Sequence, residues 1–225
     1  MPVVRDESAA PPTSWEPPAL AGPATSPQPA TIRAYTTLAT AAFSRRDSRL
    51  PGYPAAAASA RGLGFAPVLR TVGGHLAPLH EQTLIVDLIS PSADPLARTR
   101  HRFRQASTAI CGVLRRFGVP AQVGELPGEY CPGEFSVNAS GSTKLAGIAQ
   151  RVTSWGFLLS INLVVGNPDP LRAVVEACYR DLDLPVDPAR VGAVGDHLPG
   201  IAAADLAQAL IPALASALLS DDSGG

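Results

Sequence analysis

Residues 135–165 hold three β-rich segments in close succession, 135–137, 144–152 and 157–165, the first two joined by the polar turn Asn138-Ala139-Ser140-Gly141-Ser142. So short a link closes a hairpin, and the segments are expected to form an antiparallel meander. On either side stands an Asp-Pro pair followed by apolar residues at helical spacing. Asp94-Pro95 leads into Leu96, Phe103, Ile110, Leu114 and Phe117, stopped by Gly118-Val119-Pro120. Asp169-Pro170 leads into Leu171, Val174, Val175, Cys178 and Leu182, stopped before Pro185. An aspartate cap with proline in the first turn signals a helix start. Segments 65–72 and 83–89 read as further strands, the first running into Gly73-Gly74, and a last helix is expected over 201–219, bent by Pro212. This order implies an α+β fold, with a mixed, largely antiparallel sheet flanked by helices rather than the regular alternation of a doubly wound sheet.

Eight prolines fall in the first 30 residues, among Ala, Ser and Thr and without an apolar period. Residues 1–30 are therefore expected to be a disordered tail, and 31–225 a single catalytic domain. Segment 31–60 offers a short helix and the basic cluster Arg45, Arg46, Arg49, interrupted by Pro51-Gly52. Eighteen Lys and Arg against 19 Asp and Glu leave a net charge of −1, which gives no global reason to expect nucleic acid or an anionic membrane as partner. Three cysteines, an odd number without CxxC or Cys/His clustering, argue against a disulfide framework and a zinc site. The start of the chain lacks the apolar core of a signal peptide, and no apolar run approaches the roughly 18 residues of a span, so a cytoplasmic protein is expected.

Chemistry concentrates in two blocks. Cys131 lies in Gly128-Glu129-Tyr130-Cys131-Pro132-Gly133-Glu134-Phe135, and Lys144 opens Lys144-Leu145-Ala146-Gly147-Ile148-Ala149-Gln150-Arg151. Pro132 fixes the loop and Gly133 leaves the sulfur accessible, so Cys131 is either a nucleophile or a half-buried structural thiol. With an ordinary pKa near 8.5, it needs a nearby cation to be thiolate at neutral pH. Lys144 is a candidate cation, able to polarise a carbonyl, or else a solvated strand-edge residue. Strand alternation puts Ala146, Ile148 and Gln150 on its face, and Gly147 lets a ligand come close. Gly73-Gly74 either cradles a ligand or makes a tight turn. His80 is either a proton acceptor for an attacking amine or a structural loop histidine. His75 and His80, five apart without a matching ligand set, do not make a metal site. Cys111 and Cys178 fall on apolar helix faces and read as core. Arg98, Arg100, Arg102 and Arg104 with His101 put positive charge on the first helix, either a solvated face or a dock for an acidic protein.

Arg70-Thr71-Val72-Gly73-Gly74 with His80-Glu81-Gln82, then the cysteine block, then the lysine block, come in an order and separation that resembles the biotin/lipoate A/B protein ligase superfamily, closest to its cysteine-dependent octanoyltransferases and amidotransferases. The similarity runs from about residue 43 to 210. It implies a biotin/lipoate protein ligase catalytic-domain-like fold, an acyl tunnel, and transfer of an octanoyl or lipoyl group through a Cys131 thioester to a lysine of a lipoyl carrier domain. By the same resemblance, Cys131 and Lys144 are catalytic, while Arg70, Gly73, Gly74, His80, Gly133 and Gly147 bind substrate. Its partners would be acyl carrier protein, glycine cleavage H protein and the transacylase subunits of 2-oxoacid dehydrogenases. Thioester exchange is nearly balanced, so neither ATP nor another cofactor is required.

Three positions depart from the family pattern: His75 where relatives have a third glycine or an arginine, Pro78 in place of a small or β-branched residue, and Ser136 where close relatives commonly carry aspartate. Two other readings remain open. One is an ATP- and Mg-dependent lipoate or biotin ligase, although the Asn-Asp pair that such ligases usually show before the lysine is absent. The other is a non-catalytic acyl- or carrier-binding protein of the same fold.

Overall fold

The computed structural model describes residues 29–219. Most of the proline-rich stretch, residues 1–28, lies outside them. In chain order come β1 (Thr31–Tyr35), β2 (Thr40–Ser44), α1 (Tyr53–Gly62), β3 (Ala66–Arg70), β4 (Ala77–Leu79), β5 (Thr83–Pro91), α2 (Thr99–Arg116), β6 (Ala121–Val123), β7 (Val137–Ala139), β8 (Thr143–Val152), β9 (Gly156–Val164), α3 (Asp169–Asp181) and α4 (Ala203–Leu219).

The expected meander is present as β7, β8 and β9, with its first strand two residues later than expected so that Asn138 and Ala139 belong to β7 and not to the turn, and it lies within a six-stranded sheet of order β1-β5-β9-β8-β7-β6 in which every neighbouring pair is antiparallel. A smaller sheet, β3-β2-β4, pairs β2 with β3 in parallel and with β4 antiparallel. The fold is α+β with a mixed, largely antiparallel sheet, as the element order implies. β5 is buried almost throughout because both faces are covered. Leu84, Val86 and Leu88 join Leu159, Ile161 and Leu163 of β9 beneath Ile110 and Leu114 of α2 and Leu206, Leu210 and Leu214 of α4. A second core packs the small sheet and α1 against α3, around Phe43, Leu76, Val174, Cys178 and Tyr179.

Several expectations shift. The segment 31–60 holds two strands before its helix, and α1 begins only after Pro51-Gly52. Asp94 does not cap α2. Its Oδ1 accepts from the Ala97 amide at 3.2 Å, closing a separate turn, and Leu96 is 73% exposed instead of core-facing. Arg102 leaves the basic patch altogether: it is buried, with its guanidinium 4.0 Å above the Phe157 ring and Nε on Gln150 at 2.8 Å. Pro78 sits in β4, an edge strand, where a missing N–H breaks no ladder. Lys144 shares no face with Ala146. A bulge leaves Leu145 unpaired between Asn138↔Lys144 and Val137↔Ala146, so the parity of β8 flips after the lysine.

Candidate active site

β7 pairs with β8 only as far as Ala146, so beyond that point β8 has an open edge on the β7 side. The start of α2 and the loop 124–136 cover this edge, enclosing a cavity of about 650 Å³. Phe103, Phe135, Ile148 and Ala149 supply apolar wall, the two phenyl rings stacked 5.7 Å apart. Arg70, Gly73, Gly74, Cys131, Gly133, Lys144 and Gly147 also line the cavity, so seven of the eight expected site residues converge on one space.

Cys131 has φ +43°, a left-handed conformation unusual for a residue with a side chain. The conformation is fixed on both sides. The Cys131 amide donates to the Tyr179 hydroxyl at 2.6 Å, and that hydroxyl donates to the Leu76 carbonyl at 3.0 Å. Burial keeps the Tyr179 pKa well above its ordinary value, so the phenol remains a proton donor. On the other side, Lys144 Nζ donates to the Cys131 carbonyl at 2.8 Å and to the Tyr130 carbonyl at 2.9 Å.

The sulfur faces donors. Arg70 donates to Sγ at 3.4 Å and the His75 amide donates to Sγ at 3.3 Å, while the same Arg70 nitrogen donates to the His75 carbonyl. Burial alone would raise the thiol; the Arg70 and Lys144 charges with the His75 amide outweigh it, and the Cys131 pKa falls below its ordinary value. The other two thiols move the opposite way. Burial raises Cys111, and pushes Cys178 up to about 11. Gly74, at φ +99°, is the glycine the site cannot replace: a Cβ there would lie 2.5 Å from Cys131 Sγ. At Gly73 a Cβ would meet nothing within 4 Å, so its place in the wall does not depend on lacking one.

Lys144 and Glu129, both almost fully buried, pair at 3.2 Å beneath the cysteine loop. Glu129 gathers the loop around itself, accepting from the Leu126 amide at 3.2 Å, the Gly133 amide at 3.1 Å and the Ser136 hydroxyl at 2.6 Å. This accounts for Ser136: the carboxylate of the loop is supplied by Glu129, and position 136 donates to it. His75 is likewise partnered, its Nδ1 2.7 Å from Oδ1 of the buried Asp47. Glu129, Asp47 and Tyr179 are site residues the sequence reading did not find.

His80 is the one expected site residue outside the cavity. It is buried, Nε2 lies 2.9 Å from the Asn167 carbonyl, and Nδ1 accepts from the Gln82 amide at 3.2 Å. With both ring nitrogens engaged it ties the β4–β5 turn to the loop after β9. Among the described residues no group of three or more His, Cys, Asp and Glu could hold a metal ion, and no helix is long and apolar enough to cross a membrane.

The fold is that of lipoate-protein ligases. A lipoate-protein ligase A bound with ATP superposes with a TM-score of 0.66 at 20% identity, over 84% of this chain and 73% of its own. Ta0514, a putative lipoate protein ligase from T. acidophilum with bound lipoic acid, gives 0.65 at 18% identity over 84% and 73%. The chain matches the lipoyl protein ligase A/B catalytic domain over residues 25–215 and belongs to that family. Among curated relatives, the octanoyl-GcvH:protein N-octanoyltransferase of Geobacillus kaustophilus is 28% identical over 144 residues, 64% of this chain and 50% of the relative. Its namesake in Exiguobacterium sp. is 30% identical over 163 residues, 68% and 54%. The chain thus spans about half the length of the curated relatives it matches.

Proposed function

We propose that this chain is the catalytic domain of an acyltransferase that moves an octanoyl or lipoyl group between protein carriers through a thioester on Cys131. The observation that carries this reading is the sulfur itself: the one cysteine of three whose pKa is lowered, set in an apolar cavity between Arg70 and the His75 amide. A cavity of about 650 Å³ lies within the range of small-ligand clefts, about 300–1,000 Å³, and has room for a medium-length acyl chain.

In the first half-reaction the Cys131 thiolate attacks the carbonyl of a carrier-bound octanoyl thioester. A C–S bond to Cys131 forms, and the carrier sulfur leaves as thiolate. In the second, an amine from a lysine of a lipoyl domain attacks the Cys131 thioester. The C–N bond forms, the attacking amine gives up one proton to solvent and keeps the other as the amide N–H, and Cys131 leaves as the thiolate that Arg70 and Lys144 favour. On this reading Arg70 and the His75 amide, which lie within reach of Sγ, also serve the oxygen that gains charge during attack. Lys144 holds the loop through the Tyr130 and Cys131 carbonyls, and reaches an acyl oxygen by exchanging one of them. Neither step consumes ATP. The names of the curated relatives put the octanoyl group on GcvH, which supports a glycine cleavage H protein as partner; acyl carrier protein and lipoyl-domain subunits of 2-oxoacid dehydrogenases complete the set. The direct assay mixes an octanoylated carrier with an unmodified lipoyl domain. Octanoyl-lysine should form without nucleotide; formation only with ATP, accompanied by pyrophosphate release, would identify a ligase instead.

A further inference from the structure

The turn after β2 carries Arg45, Arg46 and Arg49 within five residues, all exposed and in none of the ion pairs found among the described residues. In a chain of net charge −1, such a concentration is local. Its acidic residue, Asp47, points inward and is fully buried. Asp47 Oδ2 accepts from the Ser44 amide at 2.9 Å, and its own amide donates to Ser44 Oγ at 3.1 Å, which fixes the turn. Asp47 Oδ1 lies 2.7 Å from His75 Nδ1, and the His75 amide donates to Cys131 Sγ at 3.3 Å. The turn that bears the three arginines is therefore joined to the sulfur, from Asp47, through one residue, His75. Ser44 is also paired with Arg70 across β2 and β3. The arginines of α2 are differently placed: Arg100 is paired with Glu134 at the cavity mouth, and Arg102 is buried.

We propose that the turn bearing Arg45, Arg46 and Arg49 is the docking surface for an acidic protein carrier that delivers the acyl group to Cys131. The proposal rests on the reading that Cys131 accepts an acyl group. An acyl chain tethered to a protein cannot enter the cavity unless the carrier settles close to the sulfur, and a fixed positive turn beside Cys131 favours that encounter for a partner of opposite charge. Attraction of this kind acts on the rate of encounter and weakens with salt, while leaving the chemistry at the sulfur unchanged.

The test compares wild type with Arg45→Glu/Arg46→Glu/Arg49→Glu, reading Cys131 acylation by intact mass. The donors are octanoyl-acyl carrier protein, octanoyl-GcvH, and octanoyl-N-acetylcysteamine, a small uncharged thioester. The expected result is a loss of about tenfold or more in the second-order rate from at least one protein donor, together with loss of its salt dependence, and an unchanged rate from the small thioester. Unchanged rates from both protein donors would overturn the proposal, as would equal losses from all three donors, which mark a damaged site. Arginine-dependent retention on phosphatidylglycerol vesicles without any change in carrier kinetics would make the turn a membrane site and also overturn it. If wild type is acylated by none of the donors, the acyltransfer reading itself fails and the docking surface falls with it.

Discussion

Cys131, Cys111 and Cys178 have the same side chain and three different surroundings. Cys111 and Cys178 are packed into helix–sheet cores, where burial is the largest influence and favours the neutral thiol. Cys131 is buried too, but a guanidinium and an amide donate to its sulfur and an ammonium lies close by, and the balance reverses. Alkylation follows the thiolate fraction, so iodoacetamide should label Cys131 ahead of the other two. Its rate should reach half-maximum below the ordinary thiol value of about 8.5. Arg70→Ala removes the largest favourable charge, and the midpoint of the rate–pH curve should then move up; an unmoved midpoint would take Arg70 out of the account. Gly74→Ala combines a left-handed φ with a methyl 2.5 Å from Sγ. The backbone conformation alone costs about 1–2 kcal/mol, and the sulfur must also shift, so alkylation at neutral pH should slow at least several-fold. Gly73→Ala meets open space and should leave the rate near wild type. At this scale, Cys131, Lys144 and the glycine pair were legible because they stand in recognisable blocks. Asp47 and Tyr179 were not, since they reach the site from 84 and 48 residues away along the chain (131 − 47 and 179 − 131), and only the tertiary fold brings them there.

The loop 124–136 has little regular structure of its own and is organised by one buried carboxylate. Glu129 binds Lys144 and three loop donors, so removing it leaves a buried ammonium without its counter-charge. Glu129→Ala should lower unfolding free energy by about 3–5 kcal/mol in urea titrations, and a double-mutant cycle with Lys144→Met should show strong coupling. Additive effects would mean the pair is not a unit. Ser136→Asp tests the same element from the other side. Its carboxylate would replace a hydroxyl that donates to Glu129 at 2.6 Å, so the variant should be destabilised at neutral pH and should recover stability at mildly acidic pH, as a proton returns to the pair. Thermal melts at pH 5 and pH 7.5 measure this directly. Elements long enough to show a period were readable, including β8, β9, α3 and α4. The three-residue strands β4 and β6 are too short for one to register, β7 lies two residues later than its expected place, and the bulge at Leu145 cannot be seen without knowing the partner strand.

Across the whole molecule, helices α2 and α4 close one face of the large sheet, while the small sheet packs against β5 and is itself packed by α1 and α3; the cysteine loop sits where the large sheet loses its β7 pairing. The antiparallel character of that sheet was readable from the meander alone. The parallel pairing of β2 with β3 was not, because β2 was not recognised as a strand. The departures at His75, Pro78 and Ser136 each have a place in this arrangement: an aspartate partner, an edge strand and a glutamate partner. All of these features converge on one claim, that Cys131 carries the acyl group. The decisive measurement is intact mass after brief incubation with octanoyl-N-acetylcysteamine, followed by peptide mapping. Wild type should gain a single octanoyl group on Cys131, and Cys131→Ala should gain none while Cys111→Ala and Cys178→Ala label like wild type. Equal labelling of Cys131→Ala, or no labelling of wild type, would show that the sulfur in this cavity is not the acyl carrier.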